Sequence, residues 1–158
     1  KGLSNLPMKK LLYFTLLICF TSCVKVYKVE PLLNNYNENL EFKIKNISIR
    51  KTYQTGGGII TANKGYRFVE MDLDIFNRTN VDRKINYRDF YLLDFETKNK
   101  FPLQWNQPRG PILWMGKKEK EIKSDKIKKR RLVFIFPQDR KPKFLIVGDE
   151  LVEIPYKS

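Results

Sequence analysis

Histidine is absent from all 158 residues. Without an imidazole, Ser-His and Cys-His catalysis and His-ligated metal sites are excluded at once. Cysteine occurs only at Cys19 and Cys23, both near the N-terminus. The chain beyond them has no disulfide, thiol nucleophile or thiolate metal ligand, and no cofactor is expected. Acidic side chains are few: 17 Asp and Glu stand against 31 Lys and Arg, a formal net charge of +14. The longest apolar stretch, Leu11 to Val24, is 14 residues, well short of the about 20 a membrane-spanning helix needs. A 42% hydrophobic and 13% aromatic content is too apolar for a disordered chain, and the length suits one domain.

The most informative stretch runs from Tyr66 to Asp94. Val69, Met71, Leu73 and Ile75 alternate with Glu70, Asp72 and Asp74. A period of two puts the apolar side chains on one strand face and the carboxylates on the other. A polar break, Asn77-Arg78-Thr79-Asn80, leads to a second run carrying Phe90, Leu92 and Leu93. The pattern predicts two strands and a turn of an antiparallel β-domain. Asp72 and Asp74 lack the Gly turn and distal Glu of a calcium loop, so a solvated strand face is expected rather than a metal site.

The N-terminus reads as a targeting segment. Met8 is the expected start, followed by Lys9-Lys10, an apolar run to Phe20, and Thr21-Ser22-Cys23. A basic region, a short hydrophobic region and small residues before a cleavage point make a secretory signal peptide over residues 1–22. Phe20-Thr21-Ser22-Cys23 resembles the bacterial lipobox, with Phe where that motif usually has Leu. The resemblance implies lipidation of Cys23, palmitate being the acyl group expected, and cleavage just before it. Two or three acyl chains hold a protein where one does not, at about 0.8 kcal/mol per buried methylene. Residues 23–39, with the run Asn34-Asn35-Tyr36-Asn37-Glu38-Asn39, are expected to form a flexible tether, and residues 40–158 the folded domain.

Within that domain, Leu40, Phe42 and Ile44 alternate, and then Ile47 and Ile49 do. The slip in phase at Lys45-Asn46 predicts a β-bulge or bend. Thr55-Gly56-Gly57-Gly58 is a hairpin loop, since no strand-turn-helix context makes it a phosphate cradle. Ile59 to Ala62 is a short strand or part of that loop. Phe101-Pro102-Leu103-Gln104-Trp105 is predicted as an edge strand or strand end, because Pro breaks a two-sided ladder. Lys143 to Val147 and Leu151 to Pro155 are closing strands around Gly148-Asp149-Glu150.

Two features invite a functional reading. Trp105 and Trp114 flank a Pro- and Gly-containing loop; they either cap the open end of the core or offer an aromatic contact surface. Lys117 to Arg131 holds nine cations against Glu119, Glu121 and Asp125. It either solubilises a hairpin and guards a sticky strand, or binds an anionic surface. The candidate anion-binding residues are Lys128, Lys129, Arg130 and Arg131.

The order of these pieces over about Gly65 to Val147 resembles the DUF4352 or telokin-like group of bacterial lipoproteins. The elements carrying the likeness are Arg67 to Phe76, Asn77-Arg78-Thr79, Phe90-Tyr91-Leu92-Leu93-Asp94, the basic stretch, Leu132 to Pro137, and Lys143 to Val147. The resemblance implies a two-sheet immunoglobulin-like sandwich with a binding or accessory role and no catalytic residues to carry over. An all-β sandwich of about seven or eight strands is therefore expected. The expected protein is a non-enzymatic lipoprotein of the bacterial cell envelope, facing the outer membrane or periplasm. Its partners are the membrane, through the lipid anchor, and an anionic lipid, a polyanionic glycan or another envelope protein. A hydrolase built on Asp or Glu pairs is the rival from another class. Nucleic acid is not expected, because the lipobox takes the mature chain out of the cytosol.

Overall fold

The computed structural model describes residues 24–109 and 116–157. Its first half holds β1 (Lys25–Lys28), β2 (Leu33–Asn37), β3 (Leu40–Arg50), β4 (Thr52–Thr55), β5 (Gly58–Thr61) and β6 (Tyr66–Asn77). The second half holds β7 (Arg83–Asn86), β8 (Phe90–Leu93), β9 (Lys100–Pro108), β10 (Glu119–Ile122), β11 (Ile127–Pro137), β12 (Phe144–Val147) and β13 (Glu150–Glu153). A 3-10 turn, Tyr87–Asp89, separates β7 from β8.

The expected antiparallel β-sandwich is what forms. The main sheet runs β1-β3-β6-β11-β9-β8-β12-β13, with β2 also on β3. The sheet curls so that its two halves face each other across one core. The corner is β9: Lys100 to Pro102 pair with β8, and Leu103 to Pro108 pair with β11. Trp105 lies opposite Val133 but Leu103 opposite Phe134, so Gln104 is an extra residue on β9. A bulge of this kind bends a strand and sharpens its twist. β9 is thus an interior strand rather than an edge, and Pro102 sits near its first end, the other expectation. Pro102 is tolerated there because at that residue the strand is paired on one side only.

The ends of the curled sheet meet. Val29 bridges to Tyr156, the Glu30 N–H donates to the Pro155 carbonyl at 2.8 Å, and the Lys157 N–H donates to the Lys28 carbonyl at 3.1 Å. These bonds cover the end of the β1 edge at Lys28 and shorten the template it offers for aggregation. Two small ribbons complete the fold: β4-β5 lies over the outer face, and β7-β10 closes one end.

The alternation in β6 holds. Val69, Met71, Leu73 and Ile75 are each at most 1% exposed, packed with Phe42, Leu132 and Phe134. The slip in β3 is a bulge at Lys45, since Ile44 faces Leu73 while Asn46 faces Asp72. The Gly-rich loop is the β4-β5 hairpin turn, with Gly58 at φ +130.

Four expectations need correcting. The Tyr66–Asp94 stretch is not a paired unit. β6 pairs β3 and β11, β7 pairs β10, and β8 pairs β9 and β12, so β6 and β8 lie on opposite walls of the core. The expected tether is folded, because β1 and β2 both pair with β3. Tyr36 stacks on Phe90 at 5.8 Å between centroids, donates to Asp89 Oδ2 at 2.6 Å and accepts from the Asn86 N–H at 3.0 Å. Burial, then the Asp89 bond, pushes the Tyr36 hydroxyl up to about 12. The carboxylate face of β6 is not solvated: Glu70 and Asp72 are 2% and 8% exposed. Finally, the described residues hold thirteen strands rather than seven or eight. Several of the added short ones, such as β2, β4, β7 and β10, lie in segments whose polar composition hides them.

Candidate anion-binding site

The basic segment is divided by the pleat of β11. Lys128 and Arg130 lie opposite Ile75 and Leu73 of β6, on the inner face. Lys129 and Arg131 lie opposite Asp74 and Asp72, on the outer face. The four candidate cations therefore never form one patch, which corrects the expectation from sequence. Their adjacency along the chain is the reason, since neighbours on a strand point to opposite sides.

Of the outer pair, Arg131 serves the fold. Arg131 donates to Asp72 through Nε at 2.7 Å and through Nη2 at 3.2 Å, and its Nη1 lies 3.3 Å from Glu70 Oε2. Arg50 is the second partner of Glu70. Burial pushes the Glu70 carboxyl up, and the two guanidinium groups oppose that shift. Asp74 pairs with Arg109 at 3.1 Å. Beside this ladder the β4-β5 ribbon covers Phe68 and Val133 with Tyr53 and Ala62. Trp105 belongs there. Its ring meets Tyr53 edge-on at 5.2 Å and Phe68 at 5.8 Å, so it caps an outer apolar cluster. Trp114 and Cys23 lie outside the described residues.

The inner pair has a different setting. In the β7-β10 ribbon, Lys120 faces Ile85 and Ile122 faces Arg83. Ile85 and Ile122 are buried at 0% and 1%, so this ribbon face looks into the end of the sandwich. Lys120 shares that face and looks toward Lys128. Burial first, then the charges of Arg130 and Lys120, pull the Lys128 ammonium below its ordinary range. Arg130 is only 6% exposed and lies against the Tyr87 hydroxyl. The Tyr87 hydroxyl and the Arg130 Nε are buried without a hydrogen-bond partner among the described residues.

A cleft of about 460 Å³ opens beside Lys120 and Lys128. Five lysines line it, Lys84, Lys117, Lys120, Lys123 and Lys128, against Glu119 and Glu121. Lys123 is held by Asp82 at 2.6 Å and by Glu121 at 2.7 Å. No carboxylate among the described residues pairs with the other four. Such a wall concentrates anions.

Sequence reasoning located Lys117 and Lys120 within the basic segment but missed Lys84 and Tyr87. The alternation of Arg83 and Ile85 with Lys84 and Asn86 was the available signal, yet nothing local says that β7 pairs with β10. Of the other depressions, the one beside Asp94 and Arg140 has these two charges bound to each other. A third, of about 400 Å³, runs along Tyr87, Tyr91, Leu103 and Asn106.

No protein-family model matches the chain, and no curated protein does. Solved structures do. A conserved hypothetical protein from Bacillus anthracis is similar at TM-score 0.60 and 17% identity, over 84% of this chain and 96% of that one. A functionally unknown protein from Listeria monocytogenes EGD-e gives TM-score 0.50 and 12% identity, over 75% and 69%. An uncharacterized beta-sandwich protein from Clostridium difficile 630 gives 0.48 and 16%, over 77% and 86%. At these identities the likeness is one of fold.

Proposed function

We propose that this chain is a non-enzymatic binding protein of the bacterial cell envelope, anchored through lipidated Cys23, that holds a polyanionic glycan in its lysine-lined cleft. The carrying observation is the cleft itself, five lysines against two glutamates. Kinship with the DUF4352 or telokin-like lipoproteins is part of the same proposal. The hydrolase alternative loses its best carboxylate pair, because Glu70 and Asp72 are bound by Arg50 and Arg131.

Strand register favours a glycan over the anchoring bilayer. β1 starts at Lys25, opposite Ile49, which faces Val69. The cleft lies toward the other end of β6, where Ile75 faces Lys128. The six residues between those levels span about 20 Å along the strand. An anchor at Cys23, two residues before β1, would hold the domain by one end and leave the cleft at the other. That distance exceeds the Debye length of about 8 Å at physiological salt.

The test is binding to dextran sulfate, with neutral dextran as control, at low and high salt. Wild type is expected to bind dextran sulfate alone and to release it at high salt. Changing Lys84, Lys117 and Lys120 together to Gln should weaken binding by about tenfold or more. Absence of salt-sensitive binding would overturn the proposal. Tight binding of Cys23→Ala protein to phosphatidylglycerol vesicles through the same lysines would replace the glycan with lipid.

A further inference from the structure

Next to Lys128, which lines the cleft, lies a cation that is not part of the lining and that the exposed lysines do not explain. Arg130 is a buried guanidinium on the core face of β11, and the residues level with it and beyond, Leu73, Leu132 and Phe134, are apolar. A buried cation is strongly destabilising unless it is paired. Every one of the 17 acidic residues falls within the described stretches, since residues 1–23 and 110–115 contain none. Those carboxylates bind Arg50, Arg78, Arg109, Lys123, Arg131 and Arg140, and none reaches Arg130, Lys128 or Lys120.

Like charges crowd the same place. Lys128 is half-buried beside Arg130 and Lys120, and the Tyr87 hydroxyl offers a further donor with no partner of its own. Three cations, with the Tyr87 hydroxyl against Arg130 and no carboxylate from the chain, form a site that lacks a counter-ion. Arg favours oxyanions because its fork matches two oxygens at once. Arg130 is only 6% exposed, so a group that reaches it from the cleft is small.

The geometry points to a tetrahedral oxyanion of the phosphate class as the counter-ion of Arg130, held from the cleft by Lys120 and Lys128, with Arg130 and the Tyr87 hydroxyl behind that lining. The inference rests on reading the cleft as an anion site and assigns the chemistry of the group it takes. That group is either free phosphate or a phosphate ester carried on a polymer.

The experiment titrates the full chain with inorganic phosphate and separately with glycerol phosphate, at constant ionic strength, reading melting temperature and calorimetric heat. Wild type is expected to show saturable binding and a rise in Tm. Lys128→Gln and Arg130→Met should each weaken binding by about tenfold or more. Lys129→Gln removes the same charge one residue away, on the outer face, and should change binding by less than about twofold. In phosphate-free buffer Arg130→Met is expected to melt no lower than wild type, because an unpaired buried charge is gone. A purely structural role for Arg130 would instead lower Tm and leave the phosphate response of Lys128→Gln intact. Tighter binding of the ester assigns a polymer-borne group, and equal or tighter binding of inorganic phosphate assigns the free ion. Dextran sulfate binding without any saturable phosphate effect would sink this inference while leaving the glycan reading standing; loss of both would sink both.

Discussion

Single side chains in this protein are decided by which face of a strand they occupy. Arg130 and Arg131 are neighbours, yet one is buried at the end of the core and the other clamps Asp72 and Glu70. Asp94 shows how local bonding sets a charge. Burial pulls its carboxyl upward, but Thr97, the Glu96 N–H and Arg140 outweigh that and hold it below the ordinary value. The hydroxyl of Thr97 donates at 2.6 Å and the Glu96 N–H at 3.2 Å. A carboxyl whose folded pKa is depressed contributes stability that is present above its unfolded pKa and is lost as pH falls through the folded one. Asp94→Asn is therefore expected to cost about 1–3 kcal/mol at pH 7. The gap from wild type should close as the pH is lowered below about 4. Urea unfolding at pH 7 and pH 3 reads both effects, and an equal deficit at the two pH values would contradict the assignment.

Among the elements, β1 and β2 changed most between sequence and structure. β2 looks like a linker because Asn-rich, aperiodic composition carries no strand signal, and β1 adds only the four residues Lys25–Lys28. They are ordered by partners far along the chain: Val29 by Tyr156, and Tyr36 by Asn86, Asp89 and Phe90. A chain starting at Leu40 loses both, along with the cover over the β3 edge. Burial of one large apolar side chain contributes about 1.5–3 kcal/mol. Removing residues 24–39 should thus lower unfolding stability by ~3 kcal/mol or more, with a lower urea midpoint and a greater tendency to aggregate. An unchanged midpoint would restore the tether. The strands of the interior behaved otherwise. β6 and β12 were legible because their apolar alternation or run stands out against turn residues on both sides.

At the scale of the whole molecule, the central question is where the chain sits. The lipobox resemblance at Phe20-Thr21-Ser22-Cys23 leads to a direct expectation: cells fed a clickable palmitate analogue should label the protein, and Cys23→Ala should remove the label. Labelling that survives the substitution would refute anchoring at this residue. With β1 beginning two residues beyond Cys23, an anchored domain would sit close to the bilayer with little slack. The cleft between the β7-β10 ribbon and β11 would then be presented away from it, and this orientation favours a glycan over the anchoring lipid.

Period and composition alone were enough for the class of fold, the inward face of β6, the bulge in β3 and the hairpins around Gly57 and Gly148. Each of these depends on neighbours within a few residues, where alternation and turn chemistry act directly. They also drew attention to the basic segment. Tertiary structure decided which of its cations could act together. Arg131 was taken by two carboxylates 59 and 61 positions earlier, Asp72 and Glu70. Lys84 was set opposite Glu121, one residue along from Lys120, by the pairing of β7 with β10, and Arg130 was turned into the core beside Tyr87. Charge has no period of its own and acts through space, so its partners are set by strand order and register, which follow from the packing of the whole chain.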